Sequence, residues 1–175
     1  YNYVIELGSG SGLRSVVGSN KTKFISCEIN KYGRLVQKKI SKKLNKNTLE
    51  IEFDFNKIKT LGKFKHLKKK CFLSFTFFEQ ISQISDESFR YLSKTFKNTD
   101  FFFFEPIIFK NDKNPISKFN QVYCFKNKYN SNLLSLLKKY GKNIKIKKNL
   151  FCFSYSPNNL KNGANVISLI KGRFK

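Results

Sequence analysis

The chain has 175 residues, 40% hydrophobic and 16% aromatic, with 35 Lys and Arg against 11 Asp and Glu for a net charge of +24. That length and apolar content suffice for a sizeable core and exclude a disordered tail. The longest apolar stretches, around Phe72 to Phe78 and Phe101 to Phe109, fall well short of the roughly 20 residues that cross a bilayer, so no membrane span is expected.

The charge invites a polyanionic partner, because phosphate-binding proteins concentrate Lys and Arg. The excess is mostly Lys, however, scattered along the chain and accompanied by abundant Asn, Ile, Phe and Tyr. AT-rich codons give the same composition, so charge alone assigns no nucleic acid. Cys27, Cys71, Cys124 and Cys152 form no C-x-x-C pair, and His66 is the only histidine. Each cysteine sits in or beside an apolar, β-like run, where a free thiol behaves as a small buried hydrophobe. Neither a disulfide framework nor a metal site is expected, and a reducing, cytoplasmic setting fits best. The sequence contains no Met, even at position 1, so an N-terminal segment is expected to precede Tyr1.

Strand-length apolar runs alternate with stretches of helical period. Tyr3 to Leu7 is the first expected strand, and the Gly8 to Gly12 turn leads into a short helix over Leu13 to Val17. Lys23 to Ile29 is a second strand. A helix over Tyr32 to Leu44 follows, with Leu35, Val36, Ile40 and Leu44 spaced onto one face. Leu49 to Phe55 reads as a third strand and Gly62 to Lys70 as a basic loop. Cys71 to Phe75 and Phe101 to Glu105 are the fourth and fifth strands. Between them Asp86 to Phe96 is helical, with Ser85 as its cap and early acidic charge. Pro106 and Pro115 bracket a loop or edge region. Asn130 to Tyr140 is helical and ends at Gly141. Leu150 to Tyr155 and Ala164 to Ile170 flank a turn-rich Ser156 to Gly163 segment and read as an antiparallel hairpin. The order predicts one α/β domain over 1–175, with a doubly wound, mostly parallel seven-stranded sheet, helices on both faces and that hairpin at its end.

The scarce acids are placed informatively. Glu6, Glu28, Asp54, Glu79 and Glu105 all fall at or just past the C-terminal end of an expected strand, the edge where open α/β sheets bind ligands. Gly8, Gly10 and Gly12 leave a strand and open a helix, allowing a tight turn and close approach of a ligand. The dinucleotide pattern G-x-G-x-x-G is not met, since the place of its third glycine is taken by Leu13 when counted from Gly8 and by Ser15 when counted from Gly10. A phosphate-cradling P-loop fails as well, because no Gly-Lys-Ser/Thr follows.

Glu6-Leu7-Gly8-Ser9-Gly10-Ser11-Gly12 resembles the first motif of the class I S-adenosylmethionine-dependent methyltransferases, E/D-x-G-x-G-x-G. Cys27-Glu28-Ile29 is similar to that family's acidic end of strand two, which accepts hydrogen bonds from both ribose hydroxyls. Phe53-Asp54-Phe55 resembles the third-strand end that meets adenine between apolar faces. Phe77-Phe78-Glu79-Gln80-Ile81 resembles the segment after strand four, with Gln80 in place of the usual His. Phe104-Glu105-Pro106 is similar to the fifth-strand end, and the hairpin to strands six and seven. The resemblance runs the whole chain in order. It implies S-adenosylmethionine as cofactor, held by Glu6, Gly8, Ser9, Gly10, Glu28, Ile29, Asp54, Phe55 and Phe75, and an acceptor lid preceding the first strand.

The implied reaction is displacement of a sulfonium methyl by an acceptor nucleophile, in which alignment supplies much of the acceleration. An oxygen acceptor also needs a general base. Glu79 and His66 are the candidates by position, and the sequence assigns neither. The leading expectation is a small-molecule acceptor, a sugar hydroxyl or another metabolite. An RNA or protein methyltransferase using the basic surface is the alternative, weakened because Ser74-Phe75-Thr76-Phe77 stands where N/D-P-P-Y would be. A non-catalytic, methyltransferase-like partner subunit is the third reading.

Overall fold

The computed structural model describes residues 1–109, 112–153 and 165–175. Seven strands form one sheet: β1 (Tyr3–Leu7), β2 (Lys23–Glu28), β3 (Thr48–Glu52), β4 (Lys70–Phe75), β5 (Asp100–Pro106), β6 (Gly141–Phe153) and β7 (Asn165–Phe174). Their order is β3-β2-β1-β4-β5-β7-β6. The first five are parallel, and β7 lies antiparallel between β5 and β6. The order of the strands reverses direction between the parallel neighbours β1 and β4, so the loops leaving β1, β2, β3 and β4 converge at one edge. That is where a ligand crevice forms in such sheets.

Period-two alternation separates the two faces of the sheet. On one face Phe72, Phe101 and Phe103 are buried beneath α3 (Asp86–Thr95) and α5 (Leu133–Tyr140). This core is dominated by rings: Phe72 meets Phe96 at 4.9 Å, Phe101 meets Phe174 at 5.0 Å and Phe78 meets Phe103 at 5.1 Å. Such pairs add about 0.5–1.5 kcal/mol each beyond area burial. A 3-10 segment, Phe55–Phe64, packs beside α3 and buries Phe55, Ile58, Leu61 and Phe64. On the other face, α1 (Leu13–Val17) and α2 (Lys31–Lys43) lie over the β2 and β3 side.

Helix α2 corrects the expected stripe. Leu35, Val36 and Leu44 are exposed, whereas Gln37 and Ser41 are the buried residues. Gln37 Nε2 donates to Ser15 Oγ and Ser26 Oγ, and its Oε1 accepts from Ser9 Oγ. Polar satisfaction, not apolar burial, orients the helix. Helix α4 (Pro115–Lys126) occupies a stretch whose apolar spacing gives no helical signal, because the residues it buries are Ser117, Asn120 and Cys124. Cys124 is therefore on a helix and not beside a strand. Asn114 Oδ1 caps α4 from Ile116 N at 2.9 Å, with Pro115 in the first turn. Strand β6 begins directly at Gly141, earlier than expected at Leu150. Ser85 precedes α3 without a side-chain capping bond, and Asp86 instead pairs with Lys139 at 2.6 Å. The Ser156 to Gly163 turn and the side chain of Cys152 lie outside the described residues. No helix among the described residues is long and apolar enough to cross a membrane.

Candidate cofactor-binding site

A cavity of about 580 Å³ opens where the loops after β1, β2, β3 and β4 meet. That size falls within the range of small-molecule and cofactor sites. The Gly8 to Gly12 loop forms its floor, tied to β2 by Gly8 N and Ser9 N, which donate to Cys27 O at 2.8 and 3.1 Å. Gly8, Gly10 and Gly12 all have positive φ. A Cβ on Gly8 would collide with the Phe77 ring, and one on Gly12 with Gln37. At Gly10 (φ 56°) a Cβ would meet nothing within 4 Å. The glycine there keeps both a left-handed turn and an open cradle in the cavity wall.

Glu28, the last residue of β2, projects into this cradle. Its Oε2 accepts from Gly10 N and its Oε1 from Asn30 N, both at 2.8 Å. Each carboxylate oxygen accepts two hydrogen bonds, so the group retains acceptor capacity toward the cavity. Asn30 caps α2 from Tyr32 N and Gly33 N. Gly33 packs so close to Gly10 that a Cβ would sit 3.0 Å from the Gly10 carbonyl oxygen. Asp54 lines the neighbouring wall and accepts from Asn56 N at 2.8 Å through Oδ1. Phe53, Phe55, Phe75 and Phe77 supply aromatic walls, with Phe55 and Phe77 edge to face at 5.8 Å.

Of the residues singled out in the sequence, Gly8, Gly10, Glu28, Ile29, Asp54, Phe55 and Phe75 line the cavity. Glu6 and Ser9 do not; their relative exposures are 0% and 1%. Ser9 Oγ turns to Gln37. Glu6 Oε1 accepts from Arg14 Nε at 2.5 Å, while its Oε2 has no partner among the described residues. Burial pushes the Glu6 carboxyl upward against the pull of Arg14. Arg14 was not foreseen. It lines the cavity with its guanidinium 5.0 Å above the Phe75 ring. A cation at the second position of the helix after a glycine loop, with an acid two residues before that loop, was the available signal.

The β4 loop forms the remaining wall. Thr76 lines it at φ 54°, a conformation that strains a β-branched residue by about 1–3 kcal/mol. Glu105, fully buried at the end of β5, holds that turn: it accepts from Ser74 Oγ at 2.7 Å, Phe77 N at 3.1 Å and Glu79 N at 3.3 Å. Desolvation pushes Glu105 up to about 8, although those donors oppose it. Glu79 is likewise raised by burial, to about 7, and accepts from Asn165 Nδ2 at 3.4 Å. It faces away from the cavity, which Gln80 and Ile81 line instead. His66 is exposed beyond the 3-10 segment and stands apart from the cavity. An open cradle at Gly10, a carboxylate with spare lone pairs and aromatic walls together fit a nucleoside-bearing cofactor.

No family model and no curated protein sequence matches the chain. Solved structures do. TehB from Haemophilus influenzae aligns at TM-score 0.64 and 14% identity, over 99% of this chain and 57% of its own. The chain has the class I methyltransferase fold. An O-methyltransferase from Bacillus cereus, in complex with SAH, aligns at 0.58 and 10% identity over 99% of this chain and 73% of its own. The tRNA (m1A58) methyltransferase TrmI from Aquifex aeolicus gives 0.51 and 19%, over 99% and 62%. The chain thus spans less than two thirds of TehB and of TrmI. The glycine-loop cavity of this methyltransferase fold is formed here by residues from four successive strand ends.

Proposed function

We propose that the chain is an S-adenosylmethionine-dependent methyltransferase that holds its cofactor in the glycine-loop cavity. The observation that carries this reading is the Glu28 carboxylate seated beside the open cradle of Gly10. When bound, the cofactor supplies a methyl group on a positively charged sulfur, activated for attack by a nucleophile. Glu28 accepts the two ribose hydroxyls with its remaining lone pairs. Asp54, with Ile29 and the Phe53 and Phe55 rings, would hold the adenine. Arg14 offers guanidinium donors to the cofactor's carboxylate.

Glu105 keeps the Thr76 to Ile81 wall of the cavity in shape. A small-molecule acceptor, such as a sugar hydroxyl or another metabolite, is the first reading. A polyanionic acceptor such as RNA is the second reading, favoured by the net charge of +24 and by the likeness to TrmI. No side chain is assigned as general base, because Glu79 points away from the cavity.

Isothermal titration with S-adenosylmethionine and, separately, NADH tests the reading. Micromolar binding of the first and none of the second is the expected result. Tight NADH binding, or a folded chain that binds neither, overturns it.

A further inference from the structure

Glu105, near the end of β5, lies in surroundings that pull its charge in opposite directions. It is fully buried, and none of the ion pairs among the described residues includes it. An unpaired buried carboxyl favours its neutral form. Yet Ser74 Oγ, Phe77 N and Glu79 N all donate to it. Two of these are backbone amides, which can only donate and therefore favour the carboxylate. Of the three partners, only the Ser74 hydroxyl can reverse and accept from a protonated Glu105. Burial prevails, pushing the group up to about 8, so near neutral pH Glu105 carries its proton.

The groups facing this carboxyl supply no cation among the described residues. Strand β4 presents Ser74, and β7 presents Ser168 directly opposite in the strand register. The turn after β4 presents Glu79, a second acid that opposes ionisation of the first. Beside Glu79 stand Asn165, Cys124 and Tyr129, and burial keeps that thiol and that phenol neutral.

The cavity begins one residue away, because Phe77 lines it and gives its amide to Glu105. At the same cavity Glu6 is matched by Arg14, and the net charge of +24 opposes entry of a cation. On the methyl-transfer reading, on which this inference rests, the cavity holds a sulfonium cation first and a neutral thioether afterwards. A positive charge one residue from a buried carboxyl favours its ionised form, and a neutral ligand exerts no such pull.

We propose that Glu105 makes the site distinguish the sulfonium cofactor from its thioether product, by losing a proton when the first binds and regaining it when the second takes its place. The proton passes to solvent, and the Ser74 hydroxyl turns from acceptor to donor as it leaves. The ionised carboxyl then tightens the hold on the cation alone, so the spent product is released more readily than the cofactor.

The test is calorimetric titration near pH 7 with S-adenosylmethionine and with S-adenosylhomocysteine, in two buffers of different ionisation enthalpy. The unaltered chain is compared with E105Q, which fixes that charge at zero, and with E79Q, which removes the neighbouring acid. Each ligand's own amino group titrates alike against all three, so differences between them report the chain. The unaltered chain and E79Q should release about 0.5 proton or more beyond E105Q on binding the sulfonium, and none beyond it on binding the thioether. E105Q should lose about tenfold in affinity for the sulfonium and keep its affinity for the thioether, and the gap should close toward pH 5.5, where Glu105 stays protonated in both complexes. Difference infrared spectra give a second readout that needs no change at Glu105. In E79Q the band of a buried protonated carboxyl should vanish with the sulfonium and persist with the thioether. Equal proton release in E105Q and the unaltered chain, a band that survives the sulfonium, or one lost equally with both ligands would each overturn the proposal. Binding without proton release removes this inference alone, whereas a folded chain that binds neither ligand removes the methyl-transfer reading and this inference with it.

Discussion

Glu28 joins the glycine loop, the start of α2 and the cavity in one carboxylate, so replacing it separates binding from scaffold. In Glu28→Ala, Gly10 N and Asn30 N both lose an acceptor at 2.8 Å, and the ribose hydroxyls lose theirs. Hydrogen bonds to a charged group are worth about 1.5–3 kcal/mol each. Removal of the two ribose bonds should therefore cost roughly 3 kcal/mol or more, which is about two decades in Kd. Glu28→Gln keeps the shape and one acceptor oxygen but turns an NH2 toward one of the two amide donors, so an intermediate loss is expected. Titration calorimetry with S-adenosylmethionine reads affinity, and urea unfolding without ligand reads the scaffold. Glu28→Ala binding within threefold of the unaltered chain would refute the assignment. A variant less stable but equally tight would reduce Glu28 to a clamp on the loop.

The glycines should divide by role. Gly8→Ala drives a Cβ into the Phe77 ring and should lower the unfolding midpoint sharply. Gly10→Ala meets no neighbour and should cost only about 1–2 kcal/mol for its left-handed φ, while its methyl group in the cradle weakens cofactor binding; equal stability losses would contradict this. Gln37→Ala, which strands the hydroxyls of Ser9 and Ser26 and leaves Ser15 only its bond to the Gly12 carbonyl, should destabilise the chain by about 1–3 kcal/mol, measured by urea midpoint, and a neutral result would deny that polar bonding orients α2. Glu105 and Glu79 sit at about 8 and 7 in the folded chain against an ordinary 4.5. Both favour the protonated folded state, so their contribution is complete below about pH 4.5 and disappears as pH rises through 7 and 8. Urea midpoints should fall from pH 5 to 8.5, less steeply in Glu105→Gln, and an identical slope in that variant would refute the assignment.

The sheet was legible because its strands are apolar runs between turns, and β1 and α1 fall at their expected bounds. The cavity was legible where chemistry demanded rare residues: glycines at positive φ and acids at strand ends. Reading failed where helices hide polar side chains. Apolar spacing placed the inner face of α2 on Leu35 and Val36, and a buried amide surrounded by serine hydroxyls leaves no apolar period. Helix α4 was lost for the same reason, although Asn114-Pro115 marked its start. Glu6 was read as a ligand group because sequence position does not reveal whether a strand-end carboxylate faces the crevice or, as here, an arginine beneath it.

The polar underside of α2 also determines how this part of the molecule opens. Area-proportional burial contributes little to its attachment, and its hold depends on directional bonds through Gln37, with Ser41 Oγ buried and unmatched. Helix α3, seated on Phe89 and Leu92, is held by the aromatic core. Amide protons of α2 should therefore exchange through a local opening well below global unfolding, ahead of those in α3. Ser9, Glu28 and Asn30 connect that helix to the cavity loop, so the opening that frees α2 also dismantles the ligand cradle. An occupied cradle would slow exchange along the helix to the same degree that it tightens binding, making α2 amide protection a direct gauge of occupancy.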